Sequence, residues 1–171
     1  GFTRRDDSTD YLGELKDVVG ALLEARLVSL NHKDGGPLLQ LVEHTSTKPI
    51  ERDKPAQWGD IGYLELGFHA YRLEELYLDL KSRGADFMTP VRSMEGPDGE
   101  RISYAYLRDP DGLPLQIVEA RGGDKPRAGG IRHVGLGVSD LEQAIAFYRD
   151  LLGLDRTAYE FTGRLPELDD L

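Results

Sequence analysis

The sequence predicts an α+β protein built from repeated strand–helix–strand–strand–strand units. Residues 63–74 and 131–142 follow the same pattern, which aligns Glu65 with His133. In both copies, alternating apolar residues are followed by apolar residues spaced three and four apart, which predicts a strand and then a helix. The Asp-Pro-Asp-Gly sequence at 109–112 is a strong turn signal, so a strand is predicted on either side of it.

A second internal repeat lies at two predicted strand ends. Leu39-Gln-Leu-Val-Glu43 matches Leu115-Gln-Ile-Val-Glu119 and aligns Gln40 with Gln116. Repeated segments within one chain are typical of copies of a single supersecondary unit. Together the two repeats place one histidine, one glutamate and two glutamines at equivalent positions, which predicts that the units converge on one site.

Length and composition restrict the class of protein. The chain has 171 residues, of which 39% are apolar and 30% charged, as in an ordinary globular protein. Its net charge of −10 argues against nucleic-acid binding, which requires a basic surface. Because there is no cysteine and no apolar run of membrane-spanning length, disulfides and transmembrane helices are not expected. We expect a soluble, cytoplasmic protein that binds a small-molecule substrate, not nucleic acid or a membrane.

Residues 1–46 are predicted to be the last strands of one unit. One strand is expected at 25–30 and another at 37–43, joined by a His-Lys-Asp-Gly-Gly turn at 32–36. His32 opens this polar turn, so it is predicted to be exposed to solvent.

Residues 61–120 are predicted to form one complete unit. Its helix ends at Gly84, because glycine readily takes the left-handed conformation that closes a helix. The strands that follow are predicted at 86–91, 101–108 and 113–119. The helix residues expected to face inward are Leu73, Leu76, Tyr77 and Leu80.

Residues 131–171 are predicted to be the opening strand and helix of a further unit. Ser139 and Glu142 have the spacing of a capping box, which predicts the helix start, and Gly153 predicts its end. The apolar face of this helix is formed by Leu141, Ile145, Tyr148 and Leu152.

The sequence is therefore predicted to begin and end within a unit. The first part is predicted to lack an opening strand and helix, whereas the last part is predicted to be an opening strand and helix without its full set of partner strands. Pairing the two would cover both an unpaired strand edge and an apolar helix face. This pairing predicts either a homodimer with exchanged half-modules or a permuted closure within one chain. Alternatively, the sequence is a piece of a longer tandem array.

Two motifs carry a family resemblance. The first is His133-Val-Gly-Leu-x-Val-Ser-Asp-Leu-Glu-x-Ala-Ile-x-Phe-Tyr-x-Asp-x-Leu-Gly153, and the second is Tyr106-Leu-Arg-Asp-Pro-Asp-Gly-x-Pro-Leu-Gln-Ile-Val-Glu119. They resemble the opening and closing segments of vicinal oxygen chelate proteins, the glyoxalase/bleomycin resistance/dioxygenase superfamily. The resemblance implies paired βαβββ modules whose sheets form a cupped half-barrel around a divalent metal.

The resemblance also implies a set of metal ligands. Carried onto this sequence, the ligand positions are His133, Gln40, Glu65 and Gln116. One imidazole, one carboxylate and two amide oxygens suit a divalent ion such as Ni²⁺, Co²⁺, Zn²⁺ or Mn²⁺. The implied function is a metal-dependent lyase or isomerase of the glyoxalase type, acting on a small oxygen-chelating substrate. Glu65 is the only carboxylate of the four, so it is the expected catalytic base.

Alternative interpretations remain open. The family also includes metal-free proteins of the bleomycin-resistance type, which sequester a drug or metabolite between aromatic walls. In an alternating strand, Glu65 points either into the cup or out to water, and a lone strand histidine such as His133 is more often structural. The aromatic residues available for a binding wall are Trp58, Tyr63, Phe68, Tyr104 and Tyr106.

Overall fold

The computed structural model describes residues 2–4, 25–46, 48, 54, 57, 59–96, 99–160 and 162–163. Within these residues the strands are β1 (Phe2–Arg4), β2 (Ala25–His32), β3 (Leu39–His44), β4 (Gly62–Tyr71), β5 (Asp86–Phe87), β6 (Arg92–Glu95), β7 (Arg101–Arg108), β8 (Pro114–Glu119) and β9 (Arg127–Gly137). The helices are α1 (Leu73–Ser82) and α2 (Leu141–Ile145), and a π-helix at Ala146–Leu151 continues α2.

The described strands form two sheets. The smaller is antiparallel, in the order β1-β2-β3. The larger has the order β5-β7-β8-β4-β9, and β6 also pairs with β7. In the larger sheet β4 lies between β8, to which it is parallel, and β9, to which it is antiparallel. The opening strands of the two repeats, β4 and β9, are therefore direct neighbours.

One face of the larger sheet is covered by α1. Leu73 and Leu76 are buried, and Tyr77 and Leu80 pack against the same cluster, as predicted from their spacing. Each fully buried leucine contributes about 1.5–3 kcal/mol through removal of apolar surface from water. The buried sheet residues in this cluster are Ala70, Ala105 and Ile117.

The opposite face of the same sheet carries a second cluster. Tyr104, Tyr106 and Val118 are buried there, and the rings of the two tyrosines meet edge to face with their centroids 5.9 Å apart. Residues on these strands alternate between the two faces, because successive side chains of a strand point in opposite directions. Since α1 covers only one face of the sheet, side chains on the opposite face are available to form a site.

The structure has two short strands, β5 and β6, where the sequence predicted a single strand at 86–91. Only Asp86–Phe87 join the ladder as β5, and β6 begins after Pro90. Proline has no backbone N–H, so a ladder is interrupted where it occurs. Met88 and Thr89 instead donate backbone hydrogen bonds to the carbonyl of Tyr106, at 2.9 and 3.3 Å.

The second helix begins one residue later than the capping-box prediction. Asp140, not Ser139, caps α2, because its Oδ1 accepts a hydrogen bond of 3.0 Å from the backbone N–H of Gln143. The helix and its π-helical continuation extend into solvent. Apolar residues exposed along this segment and its end are Leu141, Phe147, Tyr148, Leu151 and Leu152.

His32 is buried, and its prediction as an exposed turn residue is wrong. The residue is 3% exposed, and its Nδ1 accepts a hydrogen bond of 3.1 Å from the backbone N–H of Asp34. Strand β2 continues through His32 and packs beside the start of β9, where a Cβ atom on Gly130 would lie 2.9 Å from the carbonyl oxygen of Gly35 and 3.6 Å from Cβ of His32. An ion pair between Arg127 and Asp34 joins the same two segments.

Burial gives the fold a pH dependence at His32. Desolvation, with a smaller contribution from Arg127, lowers the pKa of His32 below its ordinary value of 6.5. The unfolded chain therefore gains a proton first as the pH falls, and the free energy of unfolding decreases from about pH 6.5 down through the lower native pKa. We expect the melting temperature to fall between pH 7 and 5, and His32→Gln to flatten this slope.

The control for this titration is His44→Gln, which removes an exposed histidine from β3. Burial also lowers the pKa of His69, so part of the slope persists in the His32 variant. Equal slopes in the His32→Gln and His44→Gln proteins would contradict the assignment.

The α+β class and the dominant curved sheet agree with the prediction from sequence. Neither described helix has the length and apolar character needed to cross a membrane.

Candidate functional site

A row of four residues crosses the larger sheet on the face away from α1. The ladder pairs Tyr106 on β7 with Gln116 on β8, Gln116 with Gly67 on β4, and Gly67 with His133 on β9. Directly paired residues share a face of the sheet. Three strand pairings thus place one residue from each of four strands in a line across the sheet.

Glu65 lies on β4 two residues before Gly67 and points to the same face. Its Oε1 lies 3.2 Å from Nε2 of His133. The glutamate side chain is 8% exposed and the histidine side chain 33% exposed, so the contact has one buried and one accessible partner. Of the two orientations considered for Glu65, the inward one is observed.

Two glycines make this contact possible. A Cβ atom on Gly67 would lie 2.2 Å from Cε1 of His133, and one on Gly135 would lie 2.7 Å from Cγ of Glu65. The side chains of Glu65 and His133 therefore each lie across the glycine that faces them on the neighbouring strand. The arrangement has the symmetry of the repeat, in which glutamate aligns with histidine and glycine with glycine.

Tyr106 connects Gln116 to Glu65. Nε2 of Gln116 donates a hydrogen bond of 2.7 Å to the tyrosine hydroxyl. Burial raises the pKa of Tyr106, and the charge of Glu65 and a hydrogen bond to its carboxylate raise it further. A phenol is protonated at neutral pH, and here it acts as a donor toward the carboxylate, which is why the hydrogen bond raises its pKa. The sequence predicts Tyr106 only as part of an aromatic wall. Its position beside Gln116 depends on the register of β7 and β8, which the sequence does not specify.

The donor atoms of this cluster fit a divalent cation in part. Oε2 of Glu65 is buried and has no hydrogen-bond partner among the described residues. A buried carboxylate oxygen without a partner is costly, and a bound cation would satisfy it. The imidazole of His133 and the amide oxygen of Gln116 are suitable additional ligands. Within the described part of the chain, no cluster of three or more His, Cys, Asp or Glu side chains occurs.

Gln40 is not part of this cluster in the single chain. It lies on β3 of the smaller sheet, is exposed, and its Nε2 is 3.4 Å from the hydroxyl of Ser29. The structure thus brings together three of the four predicted ligands, His133, Glu65 and Gln116. Whether these residues bind a metal stays a prediction.

The aromatic residues suggested for a binding wall are dispersed. Tyr104 and Tyr106 are buried in the sheet cluster, and Phe68 packs against the α1 cluster on the other face. Tyr63 is exposed, and Trp58 lies outside the described residues. These positions do not form a continuous aromatic wall within the described structure.

Comparison with protein families supports the resemblance seen in the sequence. Residues 130–168 match the model of the Glyoxalase/Bleomycin resistance protein/Dioxygenase superfamily. This segment contains His133 and the strand–helix motif on which the resemblance rests. The family match therefore confirms the resemblance. No curated protein matches the sequence.

Solved structures share the fold. A glyoxalase family protein from Bacillus cereus superposes with a TM-score of 0.54 at 17% identity, over 70% of this chain and 78% of that chain. A candidate dioxygenase from Bacillus subtilis gives the same TM-score at 14% identity, over 80% of this chain and 45% of that one. The chain thus spans less than half the length of the second protein. At these identities the likeness establishes a glyoxalase-like fold.

Proposed function

We propose that this protein is a metal-dependent lyase or isomerase of the glyoxalase type, acting on a small substrate with two adjacent oxygen atoms. The observation that carries the proposal is the contact between Glu65 and His133, which occupy equivalent positions of two repeated strands. The proposed cofactor is a divalent ion, Ni²⁺, Co²⁺, Zn²⁺ or Mn²⁺. His133, Glu65 and Gln116 would hold it, and Gln40 would complete the set.

Each residue has a defined part in this chemistry. When bound, a divalent ion polarises substrate oxygens and stabilises the negative charge that develops on them. Glu65 would accept a proton from the substrate carbon beside these oxygens and return it to a neighbouring position, as an isomerase requires. Tyr106 would keep the carboxylate oriented through its hydrogen bond.

Calorimetric titration of metal-free protein with Ni²⁺ or Zn²⁺ tests the cofactor directly. We expect saturable uptake of one ion per site, with loss of affinity as the pH falls, because histidine and carboxylate ligands bind metals only when deprotonated. No uptake at millimolar metal would contradict the proposal.

A metal-free sequestering protein is the second candidate. It is favoured by the donor set at the site, in which a single carboxylate is the only charged donor beside a neutral imidazole and neutral amides. The same calorimetric titration separates the two functions, since a sequestering protein requires no metal.

We further infer that a second copy of the chain supplies Gln40. Strands β3 and β9 are edges of the two sheets formed by the described residues. The apolar outer face beside the β9 edge, formed by Val134, Leu136 and Val138, is exposed. An exposed edge with an apolar face favours pairing with another strand.

The repeat predicts the register of this pairing. In the larger sheet β8 runs parallel to β4 and pairs Gln116 with Gly67. Gly67 corresponds to Gly135 in the repeat, and Gln116 corresponds to Gln40. A β3 strand added to β9 in the same way would pair Gln40 with Gly135, beside His133.

Cysteine cross-linking tests this register. The chain has no cysteine, so Leu41→Cys with Leu136→Cys introduces only thiols at positions that the register would place directly opposite. We expect a disulfide-linked dimer on a non-reducing gel and a dimer by light scattering. The control is Val42→Cys with Leu136→Cys, which would place the two thiols on opposite faces. A fast-migrating monomer would indicate closure within one chain, and no cross-link would contradict the pairing.

A further inference from the structure

A groove rich in arginine opens beside the candidate site. Its volume is about 350 Å³, which is within the range of small-molecule sites. Four positive and two negative side chains leave a net charge of +2 in the groove, although the whole chain carries −10. A positive concave surface on an acidic protein concentrates small anions. The charged lining residues are Arg72, Arg101, Arg121, Arg132, Glu100 and Glu119.

The groove and the candidate site share a wall. Val118 lines the groove and also packs in the cluster that contains Tyr106. Arg132 precedes His133 in β9, at a bulge where the pairing passes from His133 to Ile131. A bulge redirects the extra side chain, so adjacent residues need not point to opposite faces. The groove thus borders the cluster that contains Tyr106, with Val118 as the shared wall.

The arginines differ in how far they are already paired. Arg121 forms an ion pair of 2.8 Å with Glu100, and Nε of Arg101 donates a hydrogen bond of 2.9 Å to Ser93. Arg132 is exposed and forms no ion pair with the residues that the structure describes. Arg72 also forms an ion pair, with Glu75. Since Arg101 is held by Ser93 and the other two arginines by carboxylates, Arg132 is the guanidinium best placed to receive a ligand.

We propose that this groove binds an anionic group of the substrate, a carboxylate or a phosphate, through Arg132 and the neighbouring arginines. A guanidinium binds either group with two parallel hydrogen bonds, which gives both affinity and orientation. The substrate class is then a small organic anion, and its charged end lies in the groove while its adjacent oxygens face Glu65 and His133. This assignment of substrate class rests on the proposed function, whereas anion binding itself does not.

Nuclear magnetic resonance of the metal-free protein tests anion binding. Inorganic phosphate and malonate serve as probes, and their relative affinities distinguish a phosphate site from a carboxylate site. We expect saturable shifts at Val118, Arg121 and Arg132, including the side-chain N–H signals of the arginines. Binding should weaken at high salt, because the groove attracts anions by charge.

Three charge variants distinguish anion binding at a specific site from attraction by the overall charge of the protein. Arg132→Gln should weaken binding by about tenfold, the loss expected for a charge-assisted hydrogen bond. Glu119→Gln removes a negative lining residue and should strengthen binding. Arg83→Gln changes the net charge equally, but lies on the exposed end of α1 and should have no effect. Equal weakening by Arg132→Gln and Arg83→Gln would overturn the proposal.

The two proposals fail separately. Phosphate or malonate binding in protein that takes up no metal would sustain the anion groove and contradict the metal-dependent function. Metal uptake without shifts at Val118, Arg121 and Arg132 would overturn the groove and leave the metal site standing.

Discussion

Replacement of Glu65 by glutamine is expected to weaken divalent metal binding by at least about 100-fold. The change keeps the size of the side chain and removes the only negative charge among the proposed ligands. A single charge interaction near a protein surface is worth several kcal/mol, and 100-fold corresponds to about 2.7 kcal/mol. Calorimetry with Ni²⁺ on the wild-type and variant proteins measures the difference.

The stability of the metal-free variant provides a second measurement. Oε2 of Glu65 is buried without a hydrogen-bond partner among the described residues, so its charge costs free energy in the absence of a cation. We therefore expect Glu65→Gln to unfold at the same temperature as the wild type or a higher one. Glu74→Gln, at an exposed position of α1, is the control and should leave metal affinity unchanged. Equal affinities of the Glu65→Gln and wild-type proteins would remove Glu65 from the site.

Replacement of Gly67 by alanine is expected to destabilise the fold by about 2 kcal/mol. The added Cβ would lie 2.2 Å from the His133 ring, which has to move, and overpacking of this kind costs about 1–3 kcal/mol. For a chain of this size the melting temperature should fall by about 4–8 °C. Thermal unfolding followed by circular dichroism measures the change.

A double-mutant cycle assigns this cost to one contact. In a His133→Ala background the ring is absent, so Gly67→Ala should be neutral or slightly stabilising, as alanine loses less entropy than glycine. Gly135→Ala is the matched control, because its Cβ would lie 2.7 Å from Cγ of Glu65 instead. It should be rescued by Glu65→Ala and not by His133→Ala. Rescue of both glycine variants by the same partner would contradict the crossed arrangement.

Much of this site follows from short-range pattern. The repeat alone makes Glu65 and His133 equivalent, and the period of the strands limits each side chain to one of two faces. The buried residues of α1 could also be predicted from the sequence, because an amphipathic helix packs with its apolar face against the rest of the protein. The resemblance to the glyoxalase superfamily, carried by the motif at 133–153, agrees with the family match over residues 130–168.

Other features depend on register between distant strands. The position of Tyr106 beside Gln116, and of Gly67 beneath the His133 ring, requires the pairing of β7, β8, β4 and β9. A shift of one residue in any pairing would reverse the faces, and no local pattern specifies it. The bulge at Arg132 has the same origin, so the arginine groove was not predicted.

The sequence by itself determined the α+β class, the strand–helix order and the residues whose side chains have suitable chemistry, because these depend on local spacing and composition. The tertiary structure decided which of those side chains meet. It placed Glu65 against His133, buried His32 where a polar turn had predicted exposure, and left Gln40 on a separate sheet. Glu65 and His133 are 68 residues apart in the sequence. Their contact depends on the burial and hydrogen bonding of the whole sheet, which cannot be predicted from either segment alone.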